Sequence, residues 1–155
     1  MRAIRVGAAL VVLLAVLFVQ SFRAKWPPVQ RAVRRFNRDV TNPRQLATAG
    51  QPGAYAAVVH HRGRASGTAY RTPAVAVPTG DGFVFALPYG PGADWVRNVR
   101  AGGGATVEHE GRSVPVERPR LVPAVEADRF FPPREQRMHR LFGVVDFLRV
   151  TEAGR

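Results

Sequence analysis

The chain reads as a single α+β domain, with an antiparallel, barrel-like sheet flanked by peripheral helices and preceded by a hydrophobic N-terminal helix. Three observations predict this. Its 155 residues, 46% of them hydrophobic, suffice for one core. From Ala54 onward, short β-prone runs alternate with glycine-bearing turns, as a small sheet or barrel requires. Stretches with helical spacing interrupt those runs, so helices and strands are mixed within one unit.

Residues 1–25 form the first expected element. Val6 to Val19 is an uninterrupted apolar run with Arg2 and Arg5 before it. Its fourteen residues would span roughly 21 Å as a helix, short of the ~30 Å hydrocarbon core unless Ala3, Ile4 and Phe22 are drawn in and the flanking arginines snorkel. A membrane anchor is expected; a cleaved signal peptide with a small-residue site at Val19-Gln20-Ser21 fits the same pattern. Arg23, Lys25, Arg31, Arg34, Arg35 and Arg38 all follow the run. The positive-inside bias then leaves the domain at the cell membrane, facing the cytoplasm.

Residues 26–43 are expected to be a basic amphipathic helix. After Pro27-Pro28, the residues Val29, Ala32, Val33, Phe36 and Val40 recur on one helical face, and arginines occupy the rest. That face is expected to pack on the barrel, with an anionic membrane surface as the other option. Thr41-Asn42-Pro43 should end the helix, because the residue before proline is driven out of helical geometry. Residues 44–53 read as a linker at the start of a barrel domain spanning 44–155.

Six strands are expected: Ala54 to His61, Thr72 to Pro78, Phe83 to Leu87, Ala105 to His109, Ser113 to Glu117 and Val144 to Val150. Thr79-Gly80-Asp81-Gly82 and Glu110-Gly111-Arg112 place glycine where hairpins often need positive φ. Asp94 is positioned to cap a helix beginning at Trp95 and stopped by Gly102-Gly103-Gly104, with Trp95, Asn98 and Val99 along one side. Ala124 to Phe130 and Arg134 to Phe142 form a second helical region.

A formal charge of +12 and a pI near 11.7 call for an anionic partner: phospholipid, nucleic acid or a phosphorylated small molecule. The aromatics do not interleave with the basic residues, and no recognition helix is apparent, which argues against nucleic acid. The absence of cysteine removes disulfides, thiolate nucleophiles and cysteine-ligated metals. His60 and His61 would point to opposite faces of a strand, and Glu108, His109 and Glu110 read as a solvated hairpin end, so no metal is expected.

Two stretches carry the chemistry. Between the first two strands lies His60-His61-Arg62-Gly63-Arg64-Ala65-Ser66-Gly67-Thr68-Ala69-Tyr70-Arg71-Thr72-Pro73. Gly63 and Gly67 let backbone N–H groups approach a ligand, Arg62, Arg64 and Arg71 offer forks of donors, and Ser66 and Thr72 add hydroxyls: a phosphate cradle, or simply a solvated hairpin. The second stretch is Leu87-Pro88-Tyr89-Gly90-Pro91-Gly92-Ala93-Asp94-Trp95-Val96-Arg97-Asn98. It joins a flexible loop to a large aromatic face and a bifunctional amide, a lining suited to a planar heterocycle, although Trp95 alone reads as core.

Taken together, Gly-Arg-x-Ser-Gly-x-x-Tyr-Arg-Thr-Pro followed by Pro-Tyr-Gly and Asp-Trp-x-x-Asn resembles the deazaflavin-dependent nitroreductase family over roughly Arg34 to Pro119. The resemblance implies a split β-barrel that binds reduced coenzyme F420 and passes a hydride to a quinone, nitro compound or similar hydrophobic acceptor. It implies that Arg64, Ser66 and Gly67 hold the phosphate-bearing tail. Tyr70, Arg71, Thr72 and Pro73, with Leu87, Pro88, Tyr89 and Gly90, would run beside the deazaflavin, and Asp94, Trp95 and Asn98 would close the other side. Where many relatives carry a basic residue, this chain has Ala65, and Tyr70 often replaces arginine; Arg62 and Arg71 are expected to take up tail contacts. Phe130, Phe131, Met138, His139 and Phe142 match no motif. A phosphate cradle with an aromatic wall would also serve FMN, so an FMN reductase is the rival within this barrel class. A noncatalytic F420 carrier, a lipid-binding protein and a homodimer stay open.

Overall fold

The computed structural model describes residues 2–24 and 26–154. Helix α1 (Arg2–Arg23) opens the chain, and Leu10, Val11, Leu13, Leu14, Leu17 and Phe18 are all exposed along it. Among the described residues no single helix is long and apolar enough to cross a membrane; α1 and the helix after it are bent by 99°. Lys25, part of the expected basic cluster, lies outside the described residues.

Helix α2 (Pro27–Phe36) starts at prolines whose missing N–H groups cost nothing in a first turn. It does not stop at Thr41-Asn42-Pro43. The chain continues through a π-helical turn, Asn37–Thr41, into α3 (Asn42–Gln45). The Asn42 N–H reaches back to the Asn37 carbonyl, and this widened turn accommodates a proline that would clash with a regular α-helical ladder. The apolar stripe of α2 is only partly covered: Val29 and Val33 are half-buried, Phe36 is 59% exposed, and Gln30 is the residue buried from this helix. The expected linker is also more ordered than its composition suggests. Ala49 packs with Ala56 and Val58, with Leu46 against them.

Among the described residues the sheet has seven strands: β1 (Ala57–Arg62), β2 (Ala69–Ala74), β3 (Ala76–Thr79), β4 (Gly82–Ala86), β5 (Gly104–His109), β6 (Arg112–Pro123) and β7 (Asp146–Glu152). All pairings are antiparallel, in the order β2-β1-β5-β6-β7-β4-β3. The extra strand comes from dividing the run Thr72 to Pro78. Its first half pairs with β1 and its second half with β4, with Val75 between them. Because β2 and β3 are the two edges of the sheet yet adjoin in sequence, the sheet must curl until its edges approach. They share no ladder. The result is an open half-barrel, the split-barrel architecture that the motifs imply.

Local chemistry explains the rest. Glu110 and Gly111 both take positive φ, 51° and 72°, the two-residue hairpin that closes β5 onto β6. Gly82 is required for closeness: a Cβ there would strike the β7 backbone at Val150 and Thr151. Strand β6 runs six residues beyond Glu117, because the register shift between Glu117 and Arg120 absorbs Pro119, with Arg118 at φ 53°. Two helical segments follow β6: α5 (Ala124–Ala127), continued by a 3₁₀ turn, Asp128–Phe130, and α6 (Pro133–Phe142).

One core, inside the half-barrel, gathers Val59, Phe83, Phe85, Val96, Val99, Val107 and Leu148. A second, under α5 and α6, holds Val84, Val122, Phe131 and Phe147. His139 is buried here, its Nδ1 2.6 Å from Asp128 Oδ1 and its ring edge-on to Phe131 and Phe147. Phe131 and His139 therefore serve packing, whereas Met138 is exposed.

Candidate functional site

Helix α4 (Asp94–Ala101) lies against β1, β5 and β6 and so faces the loop that joins β1 to β2. The loop is closed by its own backbone: the Gly63 N–H donates to the Thr68 carbonyl at 2.8 Å, and Gly67 N–H to the Gly63 carbonyl at 2.8 Å. Ser66 Oγ accepts from the Thr68 N–H, and Arg62 donates to the Gly67 carbonyl. A Cβ on Gly63 would sit 2.6 Å from Ser66 Oγ and 3.0 Å from the Tyr70 ring, so a larger residue would push both side chains out of place.

The two sequence stretches meet at Arg64. Its backbone N–H and its Nη1 both donate to Asn98 Oδ1, at 3.2 and 2.9 Å, and its Nη2 donates to Asp94 Oδ1 at 3.1 Å. Asp94 is thus the first residue of α4 and an ion-pair partner. The expected cap is absent: Ala93 occupies that position without a side-chain bond. The Arg64 side chain is 33% exposed and that of Asp94 83%, so solvent reaches the pair.

Behind Arg64 lies a residue that sequence reasoning passed over. His61 is 8% exposed, and its Nδ1 is 3.3 Å from Asn98 Nδ2, its Nε2 3.0 Å from Thr72 Oγ1, and its ring stacked on Tyr70 at 5.7 Å and 22°. Burial, with a smaller contribution from neighbouring His60, lowers its pKa below the ordinary histidine range. Strand alternation could have found it, since His61 shares the inward face of Ala57 and Val59. Beside it is a cavity of about 220 Å³ lined by His60, His61, Arg62, Asn98 and Thr106.

Other expected residues stand differently. Pro73 and Leu87 are buried, with the Leu87 N–H bonded to the Asp146 carbonyl at 3.0 Å. Trp95 packs edge-on to Phe85 against the main core. Pro88 and Arg71 are exposed. Tyr89, next to Gly90, turns toward the N-terminal helices: Phe22 meets its ring edge-on at 5.8 Å, and the Asn37 side-chain amide donates to its hydroxyl. Burial raises the Tyr89 pKa, and the Asn37 bond only partly opposes this. The hairpin end is less solvated than expected, because Glu108 meets His60 at 3.0 Å and Glu110 accepts from the Gly53 N–H. Among the described residues no group of three His, Asp or Glu side chains is arranged to hold a metal ion.

The fold and this cluster define a split-barrel protein with an arginine-centred polar site between the β1–β2 loop and α4. No family model matches the chain, and no curated protein matches it. Among solved structures it is similar to an F420-H2 dependent reductase, FDR-A, with 15% identity and a TM-score of 0.48 over 63% of this chain and 94% of that one. It is also similar to a structure described as a domain-swapped dimer, with 12% identity and a TM-score of 0.47 over 79% of this chain and 98% of that one.

Proposed function

We propose that this protein is an oxidoreductase that binds reduced coenzyme F420 and passes its hydride to an organic acceptor such as a quinone or nitro compound. The observation that carries the reading is the bonding of Arg64 to Asn98 and Asp94, 34 and 30 residues away, which joins the two motifs into one site. The donor set suits an anionic, planar cofactor. Arg64 supplies a charge-assisted fork for a phosphate, and Ser66, whose oxygen accepts from Thr68, keeps its hydroxyl proton to donate. Tyr70 covers His61 with one face and is 47% exposed, leaving ring surface for a heterocycle.

When bound, the reduced deazaflavin supplies the hydride; the protein supplies position, charge and exclusion of water. Pro73 and Leu87, being buried, shape the wall from behind. The accompanying proton comes from solvent: His139 is held by Asp128 in the second core, and the Tyr89 hydroxyl is turned toward the N-terminal helices, where Asn37 donates to it. We place α1 in the cell membrane with the barrel in the cytoplasm, where the exposed apolar helix finds lipid and a membrane-dissolved quinone lies close to the site. The test is titration of the purified protein with F420 and with FMN, followed by acceptor reduction. F420 should bind more tightly and turn over. If FMN copurifies stoichiometrically and F420 cannot displace it, the assignment fails.

A further inference from the structure

We infer that His61 is a positioning residue for Arg64: by accepting a hydrogen bond from the Asn98 amide, it fixes Asn98 with its carbonyl toward Arg64 and holds the guanidinium ready for an anion. The inference rests on the anion-binding role proposed for Arg64.

The bonds allow one direction. Asn98 is 7% exposed, so both ends of its side chain need partners inside the protein. Its Oδ1 takes two donors from Arg64, the backbone N–H and Nη1. The reverse orientation would set an NH₂ group against two donors. Nδ2 therefore faces His61 Nδ1 as donor, Nδ1 accepts, and the imidazole carries its proton on Nε2. Nε2–H donates to Thr72 Oγ1, which leaves the threonine hydroxyl proton to point onward. The stack on Tyr70 keeps the ring from turning.

Protonation reverses this order. An imidazolium has two donors and no acceptor, so Asn98 must present its carbonyl to His61 and its NH₂ to Arg64, which releases the guanidinium. The ionisable neighbours are mostly basic: His60 and Arg62 on β1, Arg64 in the loop, Arg71 beside Tyr70 on β2, and Arg97 and Arg100 on α4. Asp94 on α4 and Glu108 on β5 are the acidic ones, the first bound to Arg64 and the second to His60. Burial, with a smaller contribution from His60, lowers the His61 pKa and favours the neutral ring.

Three measurements on the full chain in detergent decide the matter. Long-range proton–nitrogen NMR should find His61 as the Nε2–H tautomer, with its Nδ1 resonance displaced in Asn98→Ala; an Nδ1–H tautomer overturns the relay. F420 affinity should hold from pH 8 down to the ordinary histidine range and fall below it, by less than about tenfold at pH 5.5 because the His61 pKa is lowered. His61→Gln, whose amide accepts and donates without titrating, should keep the pH 8 affinity and lose that dependence. His61→Leu, folded by circular dichroism, should bind about tenfold more weakly at every pH. Equal pH dependence in wild type and His61→Gln, or unchanged affinity in His61→Leu, overturns the role. If the wild type binds no F420 at any pH, the cofactor assignment falls, and the tautomer with the Asn98→Ala displacement still decides the relay.

Discussion

Arg64 and Asp94 form an ion pair that a bound anion would have to share or displace, so the two residues should respond oppositely to substitution. Arg64→Ala removes a charge-assisted contact contributing on the order of 1.5–3 kcal/mol, and F420 affinity should fall roughly ten- to a hundred-and-fifty-fold with folding retained. Asp94→Asn removes a competing carboxylate from a largely exposed position, and affinity should rise. Isothermal titration of both variants checks the pair; a loss in Asp94→Asn would mean that the carboxylate orders Arg64 more than it competes for it. His61 adds a stability term whose sign follows from its lowered pKa. The unfolded chain takes up the proton first, so the contribution is fully present above the ordinary value of 6.5 and is lost as pH falls below it. The melting temperature should therefore drop between pH 7.5 and 5.5, and drop less in His61→Gln.

Between elements, the root of α1 is the joint that ties the N-terminal helices to the barrel. Phe22 is buried edge-on to Tyr89 and to Phe142, at 5.8 and 5.6 Å, and Arg23 Nη1 donates to the carbonyls of Arg140 and Leu141 at the end of α6. These are last-turn carbonyls, of which that of Arg140 also accepts from the Gly143 N–H, so the arginine adds a donor at the helix end and complements the helix dipole. Phe22→Ala should cost about 3 kcal/mol, read by thermal unfolding, and should raise the solvent exposure of Tyr89. None of this was legible from composition, because Phe22 and Arg23 read as the tail of an apolar run and a headgroup-facing charge. Strand positions were legible wherever apolar runs ended at glycine turns, as at β4 and β5. The misses share a cause. Division of the run Thr72 to Pro78, extension of β6 past Pro119 and passage of the helix through Pro43 each depend on tertiary context overriding a local signal. The motifs gave Arg64 and Asn98, yet the histidine on the far side of Asn98 showed only as strand alternation.

At the scale of the molecule, the charge of +12 and the exposed apolar length of α1 belong to one question: what surface does this protein meet? Nucleic acid would use the arginines and leave Leu10 to Phe18 in water. An anionic bilayer uses both. The 99° bend sets α2, with Arg31, Arg34 and Arg35, across the line of α1, so apolar insertion and contact between arginine and headgroups can occur together. Removing residues 1–20 leaves the Phe22 and Arg23 joint in place, so F420 affinity should survive. Flotation with phosphatidylglycerol vesicles should be lost, and turnover of a long-tailed quinone should fall more than that of a short-tailed analogue, because only the former is concentrated in the bilayer. Association of the full chain should weaken with salt through its arginine component but persist through α1. A full-length chain that remains in the aqueous fraction, or equal loss of turnover for both quinones, would sink the membrane placement, and so would digestion of the barrel by protease outside intact cells.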